Sequence, residues 1–215
     1  MSVEQLEAYI GSADIMGLKR LFTANPSLAT ANTSYNVSPL MLACYFKKPQ
    51  IVSLILEHLS EINLFEASAA GKFDAVAYLV QSQPDSINDY APDGFTPLGL
   101  ACYFGHLEVA KYLILKGADV NLPADNNFRV APIHSAVAGN FTAITKLLIE
   151  NGANVNVVQQ AGSTPLHAAA QNGNLDILIL LLENGASVDA RMEGGKLPAD
   201  LAREKGFKEI ADILS

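Results

Sequence analysis

"STPLHAAAQNGNLDILILLLENGASVDA", Ser163–Ala190, contains two helices and both of their stops. Thr164 is a good N-cap, and Pro165 suits the first helical turn because its missing N–H is not needed there. Gly173 follows the proline by eight residues. Glycine enters the left-handed conformation that closes a helix. "NLDILILLLENG" then places Ile177 and Leu181 at helical spacing and ends in Gly185. Asn184-Gly185 is also a hairpin signal, but after a long aliphatic helical pattern it reads as a cap.

The same punctuation recurs on both sides. Ser38-Pro39-Leu40, Thr96-Pro97-Leu98, Ala131-Pro132-Ile133 and Leu197-Pro198-Ala199 repeat the start, and these prolines, with Pro165 in its place, lie 58, 35, 33 and 33 residues apart. The stops are Lys47, Gly105, Asn140, Gly173 and Gly206. "HLEVAKYLILKGADVN" (His106–Asn121) and "FTAITKLLIENGANVN" (Phe141–Asn156) align with the second helix without gaps, ending in Gly117 and Gly152. The N-terminal part is more degenerate. "DIMGLKRLFTANPSLATAN" (Asp14–Asn32) parallels "KFDAVAYLVQSQPDSINDY" (Lys72–Tyr90), which predicts helix pairs over about 2–24 and 63–82, and Ser2-Val3-Glu4-Gln5 has the form of a capping box.

The chain resembles the ankyrin repeat family, whose signature is T-P-L-H-x-A on a period of about 33 residues. Thr164, Pro165, Leu166, His167 and Ala169 match it, and Asp93–Asn121 matches throughout except at Gly99, where the family usually has His. The resemblance extends to short free-standing bacterial members. It implies an all-α solenoid of about seven stacked helix-turn-helix units with projecting β-hairpin loops. The units run 1–34 (a degenerate N-terminal cap), 35–61, 62–88, 89–121, 122–156, 157–189 and 190–215 (a C-terminal cap). "PLMLACYF" (Pro39–Phe46) and "PLGLACYF" (Pro97–Phe104) are two units apart but separated by only 58 residues, because the loop between the second and third units is short.

Composition limits the function. The 215 residues are 50% hydrophobic and 17% charged, with net charge −8. That supplies a core and disfavours nucleic acid and anionic membrane as partners. The early Glu4 and Glu7 do not fit a basic-then-apolar signal pattern, so the expectation is a soluble, cytoplasmic monomer. Cys44 and Cys102 are equivalent positions two units apart. Stacking at about 8–10 Å per step separates them beyond the roughly 7 Å between Cα atoms that a disulfide allows. Two free buried thiols and a reducing compartment are expected.

No phosphate-cradling loop, nucleophile elbow or HExxH motif is present. His134 and His167 are equivalent in adjacent units, and each is expected to bond backbone or a neighbouring hydroxyl. No catalytic residue, metal or cofactor is expected. The function expected from the resemblance is a non-enzymatic scaffold that binds a protein on its concave surface of first helices and loop tips. The alternative is a regulatory or protective accessory subunit of an enzyme, sensitive to thiol oxidation. The family's variable positions fall on Ser34, Tyr35 and Val37; Pro92, Asp93 and Phe95; Gln160, Ala161 and Ser163; and, on the helices, Tyr45, Phe46, Tyr103, Phe104, Gln171 and Asn172. An enlarged loop adds Asn126, Asn127, Phe128 and Arg129. Tyr and Phe facing solvent are typical anchors. The short loop is expected to leave a notch with walls formed by Tyr45-Phe46 and Tyr103-Phe104 and a low floor at Ala69 and Ala70.

Overall fold

A computed structural model describes residues 2–215. Among them are fourteen α-helices in seven pairs and no strand. The pairs are α1 (Val3–Ser12) with α2 (Ile15–Ala24), α3 (Pro39–Tyr45) with α4 (Pro49–Leu56), and α5 (Leu64–Ala69) with α6 (Phe73–Ser82). Then come α7 (Pro97–Phe104) with α8 (Leu107–Leu115), α9 (Pro132–Ala138) with α10 (Thr142–Glu150), α11 (Pro165–Asn172) with α12 (Leu175–Glu183), and α13 (Pro198–Lys205) with α14 (Lys208–Ile213). No helix is long and apolar enough to cross a membrane.

The start and stop chemistry explains these boundaries. Ser38 Oγ accepts the Met41 N–H at 3.3 Å, and Thr96 Oγ1 accepts that of Gly99 at 3.0 Å. Each first helix is followed by a left-handed residue: Ala13 (φ 58), Lys47 (φ 54), Gly71 (φ 66), Gly105 (φ 81), Asn140 (φ 59), Gly173 (φ 72) and Gly206 (φ 82). The chain can then turn back at once into the second helix.

First helices stack on first helices from α1 through α13. Second helices stack as α2 on α4, then α6 on α8, α8 on α10 and α10 on α12, while α4 touches α6 weakly at most. The core follows the same division. One buried cluster runs from Leu6 to Ile55 and another from Leu64 to Leu214. A small third cluster of Met41, Cys44, Ala69 and Leu100 lies between them. The seam coincides with the short connection, residues 57–63, where the next connection along the chain spans 83–96.

The other connections form loop tips that we call fingers. Each is a turn whose base is closed by a backbone hydrogen bond: Thr33 N–H to Val37 O (3.1 Å), Ala91 to Phe95 (2.9 Å), Ala124 to Val130 (3.0 Å), Gln159 to Ser163 (3.0 Å) and Met192 to Lys196 (3.1 Å). Neighbouring fingers also bond sideways. Asp125 N–H donates to Gly94 O at 2.8 Å, and Gln160 N–H to Phe128 O at 3.0 Å.

Candidate protein-interaction surface

The predicted residues fall into separate groups. Tyr35, on the first finger, is 59% exposed and meets Phe46 edge-on at 6.0 Å. Its finger is held by Glu7, whose carboxylate accepts the Ser34 N–H at 2.6 Å and the Ser34 hydroxyl at 2.8 Å. Val37 is half-buried behind it. Phe128 is 64% exposed on the enlarged finger, beside exposed Arg129 in the left-handed conformation (φ 50). Asn126 Oδ1 accepts the Phe128 N–H at 3.0 Å and so braces that tip. Pro92, Gln160, Gln171 and Asn172 are exposed. Asn172 is also bound inward, its amide donating to Val137 O at 3.2 Å.

The notch differs from the expectation. Its walls do not stand apart, because Tyr45 leans across the gap. The Tyr45 hydroxyl donates to Asp93 Oδ2 at 2.6 Å, and its ring lies 5.8 Å from Tyr103 and 5.3 Å from Phe104. Phe95 closes the group, 6.0 Å from Tyr103. Burial and the Asp93 carboxylate push the Tyr45 phenol well above its usual range, so it stays a donor. Tyr45, Phe95 and Phe104 are therefore half-buried packing rings rather than free anchors, while Tyr103 keeps 41% exposure and Phe46 36%. The physical reason is the small floor. Ala69 holds nothing that would keep the rings of the second and fourth units apart, and burying aromatic faces against each other is favourable.

The bridge divides the gap. On the finger side, Asn36, Met41, Asn63, Phe65 and Pro92 line a small hollow of about 140 Å³. On the side of the helix–helix turns, a cleft of about 480 Å³ opens over Cys44, Ala69, Ala70 and Phe104, with Lys47, Lys48 and Lys72 around it. The low floor expected at Ala69 and Ala70 belongs to this second opening.

Glu66 was not singled out by the sequence reading, and it does the work of the absent finger. Its carboxylate accepts the Asn63 N–H at 3.0 Å and the Ser38 hydroxyl at 2.6 Å, while Asn63 Oδ1 accepts the Glu66 N–H at 2.9 Å. The pattern Asn63-x-x-Glu66 is a capping box and was the available signal. In the fifth and sixth units the same helix position is histidine. His134 Nδ1 accepts the Ala131 N–H at 3.2 Å, and its Nε2 lies 3.3 Å from Ser163 O. His167 Nδ1 lies 2.8 Å from Thr164 Oγ1, and its Nε2 lies 3.3 Å from Lys196 O. Burial lowers the His134 pKa to about 4 and shifts His167 the same way. Both imidazoles stay neutral and tie one unit to the next.

Both thiols are free and buried. Burial pushes the Cys44 thiol up to about 12, with Glu66 adding to the rise, and raises Cys102 by burial alone. Among the described residues no group of three or more His, Cys, Asp or Glu is arranged to hold a metal ion.

Comparison with known family models covers most of the chain from residue 63 onward. A family model described as ankyrin repeats in three copies matches residues 63–124 and 133–215, and a second, of many copies, matches 101–149. An ankyrin repeat protein of Rickettsia felis is 34% identical over 119 residues, covering 53% of this chain and 51% of that one. A protein of Saccharomyces cerevisiae named as 26S proteasome regulatory subunit p28 is 29% identical over 141 residues, covering 65% of this chain and 52% of its own. The alpha-latrocrustotoxin-Lt1a of Latrodectus tredecimguttatus is 34% identical over 100 residues, 43% of this chain and 7% of the toxin. The chain thus spans about half the length, or much less, of these relatives. With the matched segments, the repeated caps and the stacked helix pairs taken together, the chain belongs to the ankyrin repeat family.

Proposed function

We propose that this chain is a non-enzymatic scaffold that binds a protein partner across the face formed by its fingers and first helices. Ankyrin repeats in general mediate protein–protein interaction. The observation that carries the reading here is the pair of exposed rings on braced tips, Tyr35 and Phe128, at 59% and 64% exposure. An anchor already held in place loses little conformational freedom on binding. Pro92, Tyr103, Arg129, Gln160 and Gln171 extend the same surface. The partner is a protein rather than nucleic acid or membrane, as the net charge of −8 favours, and the scaffold acts as a cytoplasmic monomer.

The test is affinity for a partner captured from the host, compared between the native protein and the Tyr35→Ala/Phe128→Ala double variant. A true anchor contributes about 2 kcal/mol, so a loss of roughly thirtyfold or more is expected with an unchanged melting temperature. Unchanged affinity would contradict the reading.

The accessory-subunit alternative has one support, the naming of the yeast relative as a regulatory subunit. Burial of Cys44 and Cys102, which pushes both thiols up, disfavours the thiolate that its redox element would need.

A further inference from the structure

On the edge carrying the helix–helix turns, the residue after each stop lies over the stop of the preceding unit. A Cβ on Gly71 would lie 2.6 Å from the His106 ring, one on Gly105 2.5 Å from the Phe141 ring, and one on Gly173 2.5 Å from the Phe207 ring. Asn174 covers Asn140 through a 3.2 Å amide hydrogen bond. The junction of the second and third units breaks the series. Its stop is Lys47 and its covering position is Lys72. Two ammonium groups cannot pack as ring and glycine do, and the cleft of about 480 Å³ remains where the plug would be.

The charges around this cleft are unbalanced. Lys47, Lys48 and Lys72 form no ion pair among the described residues, whose salt bridges involve Lys146, Lys196 and Arg203. No carboxylate lines the cleft, although the chain has 22 acidic residues against 14 Lys and Arg. Clustered like charges repel, and Lys47 adds the cost of a left-handed lysine (φ 54). The floor beneath is apolar, with Ala69, Ala70 and Phe104. The volume falls within the roughly 300–1,000 Å³ of known binding sites.

We infer that this cleft docks an acidic segment of a partner protein, with carboxylates on Lys47, Lys48 and Lys72 and one aromatic or large aliphatic side chain on the floor. The inference rests on the protein-binding reading above and adds a second contact, on the turn edge rather than the finger face. The occupant follows from charge: a segment carrying acids around one apolar side chain neutralises the rim and covers the floor together.

The test uses fluorescence anisotropy with labelled peptides of about 12 residues, each carrying several Asp or Glu around a single Trp, Phe or Leu. A matched set carries Asn and Gln instead. The acidic set is expected to bind at least about tenfold more tightly than the amide set, and less tightly as salt is added. Lys72→Glu and Ala70→Trp, which reverse the rim and fill the floor, should each weaken binding at least about tenfold. Tyr35→Ala should leave it unchanged. Melting curves of both cleft variants check that they remain folded, and Lys48→Glu, at the start of α4, serves if either does not. Equal binding of the two peptide sets, or binding indifferent to the cleft variants, overturns the inference. So does displacement of the peptide by phenylacetate at equal concentration, which makes the site one for a small acid. Self-association of the native protein that Lys72→Glu abolishes also overturns it, because the occupant is then a second copy. If peptide binding fails while partner binding still depends on Tyr35 and Phe128, only this inference falls. If neither is seen, the protein-binding reading falls with it.

Discussion

The stop glycines combine two demands, and one pair of substitutions separates them. Gly105 and Gly206 share the left-handed conformation, with φ of 81 and 82. A Cβ on Gly206 meets nothing within 4 Å, whereas one on Gly105 meets Phe141. Gly206→Ala should cost about 1–2 kcal/mol, the strain of a left-handed residue. Gly105→Ala should cost about 1–3 kcal/mol more, because the Phe141 ring must move. Denaturant midpoints measure both, and equal losses would remove the ring-on-stop contact from the account. The tying histidines make a second prediction at this scale. His134 has its folded pKa lowered to about 4, from an ordinary value of about 6.5. Between those values the unfolded chain binds the extra proton, so stability is fully present above about pH 6.5 and is lost as the pH falls toward 4. Roughly 3 kcal/mol is at stake for His134. Melting temperatures between pH 7 and pH 4.5 should fall, with a shallower slope for His134→Asn; parallel slopes would show that another group is responsible.

Among the elements, the short connection between α4 and α5 has the largest consequence. Without a finger there, the Tyr45–Asp93 and Ser38–Glu66 side-chain hydrogen bonds tie the second unit to the fourth and third. Tyr45→Phe removes only the hydroxyl bonded to Asp93 and leaves Oδ2 of that carboxylate without its partner, while Oδ1 keeps the Phe95 N–H, so a loss of about 1–3 kcal/mol is expected. A control, Tyr103→Phe, should be near neutral, since among the described residues the Tyr103 hydroxyl makes no hydrogen bond beside its ring contacts. Unfolding curves compare the two, and a neutral Tyr45→Phe would deny that the bridge contributes. The helices, their caps and the missing finger were legible because they depend on local chemistry: Ser38 and Thr96 before proline, Gly105 and Gly173 after two turns. The disposition of the rings was not legible. Whether Tyr45 faces solvent or Asp93 depends on the height of the floor between units, and Lys47 and Lys72 look ordinary until their stacked positions are compared with Gly105 and Phe141.

Across the whole molecule, stability should follow the seam. A repeat array is held by contacts between nearest neighbours, so a thin interface lowers the coupling there. The two large buried clusters share Ile62, and the small cluster of Met41, Cys44, Ala69 and Leu100 lies between them, with Val37 and Val52 packed against both it and the N-terminal cluster. Hydrogen exchange in the free protein should therefore show α1–α4 opening together at lower free energy than α7–α12. Uniform protection along the chain would mean that the Tyr45 bridge restores full coupling. The far end is covered by α13 and α14, with Phe207 on Gly173 and Lys196 O against His167. Deleting 194–215 should lower the melting temperature and promote association, as judged by light scattering. The central claim is that a partner lies across the fingers and first helices, and exchange in the presence of the captured partner tests it most directly. The account predicts new protection at 33–46, 91–105 and 125–138, with none on α8, α10 or α12. Protection confined to those second helices would contradict it.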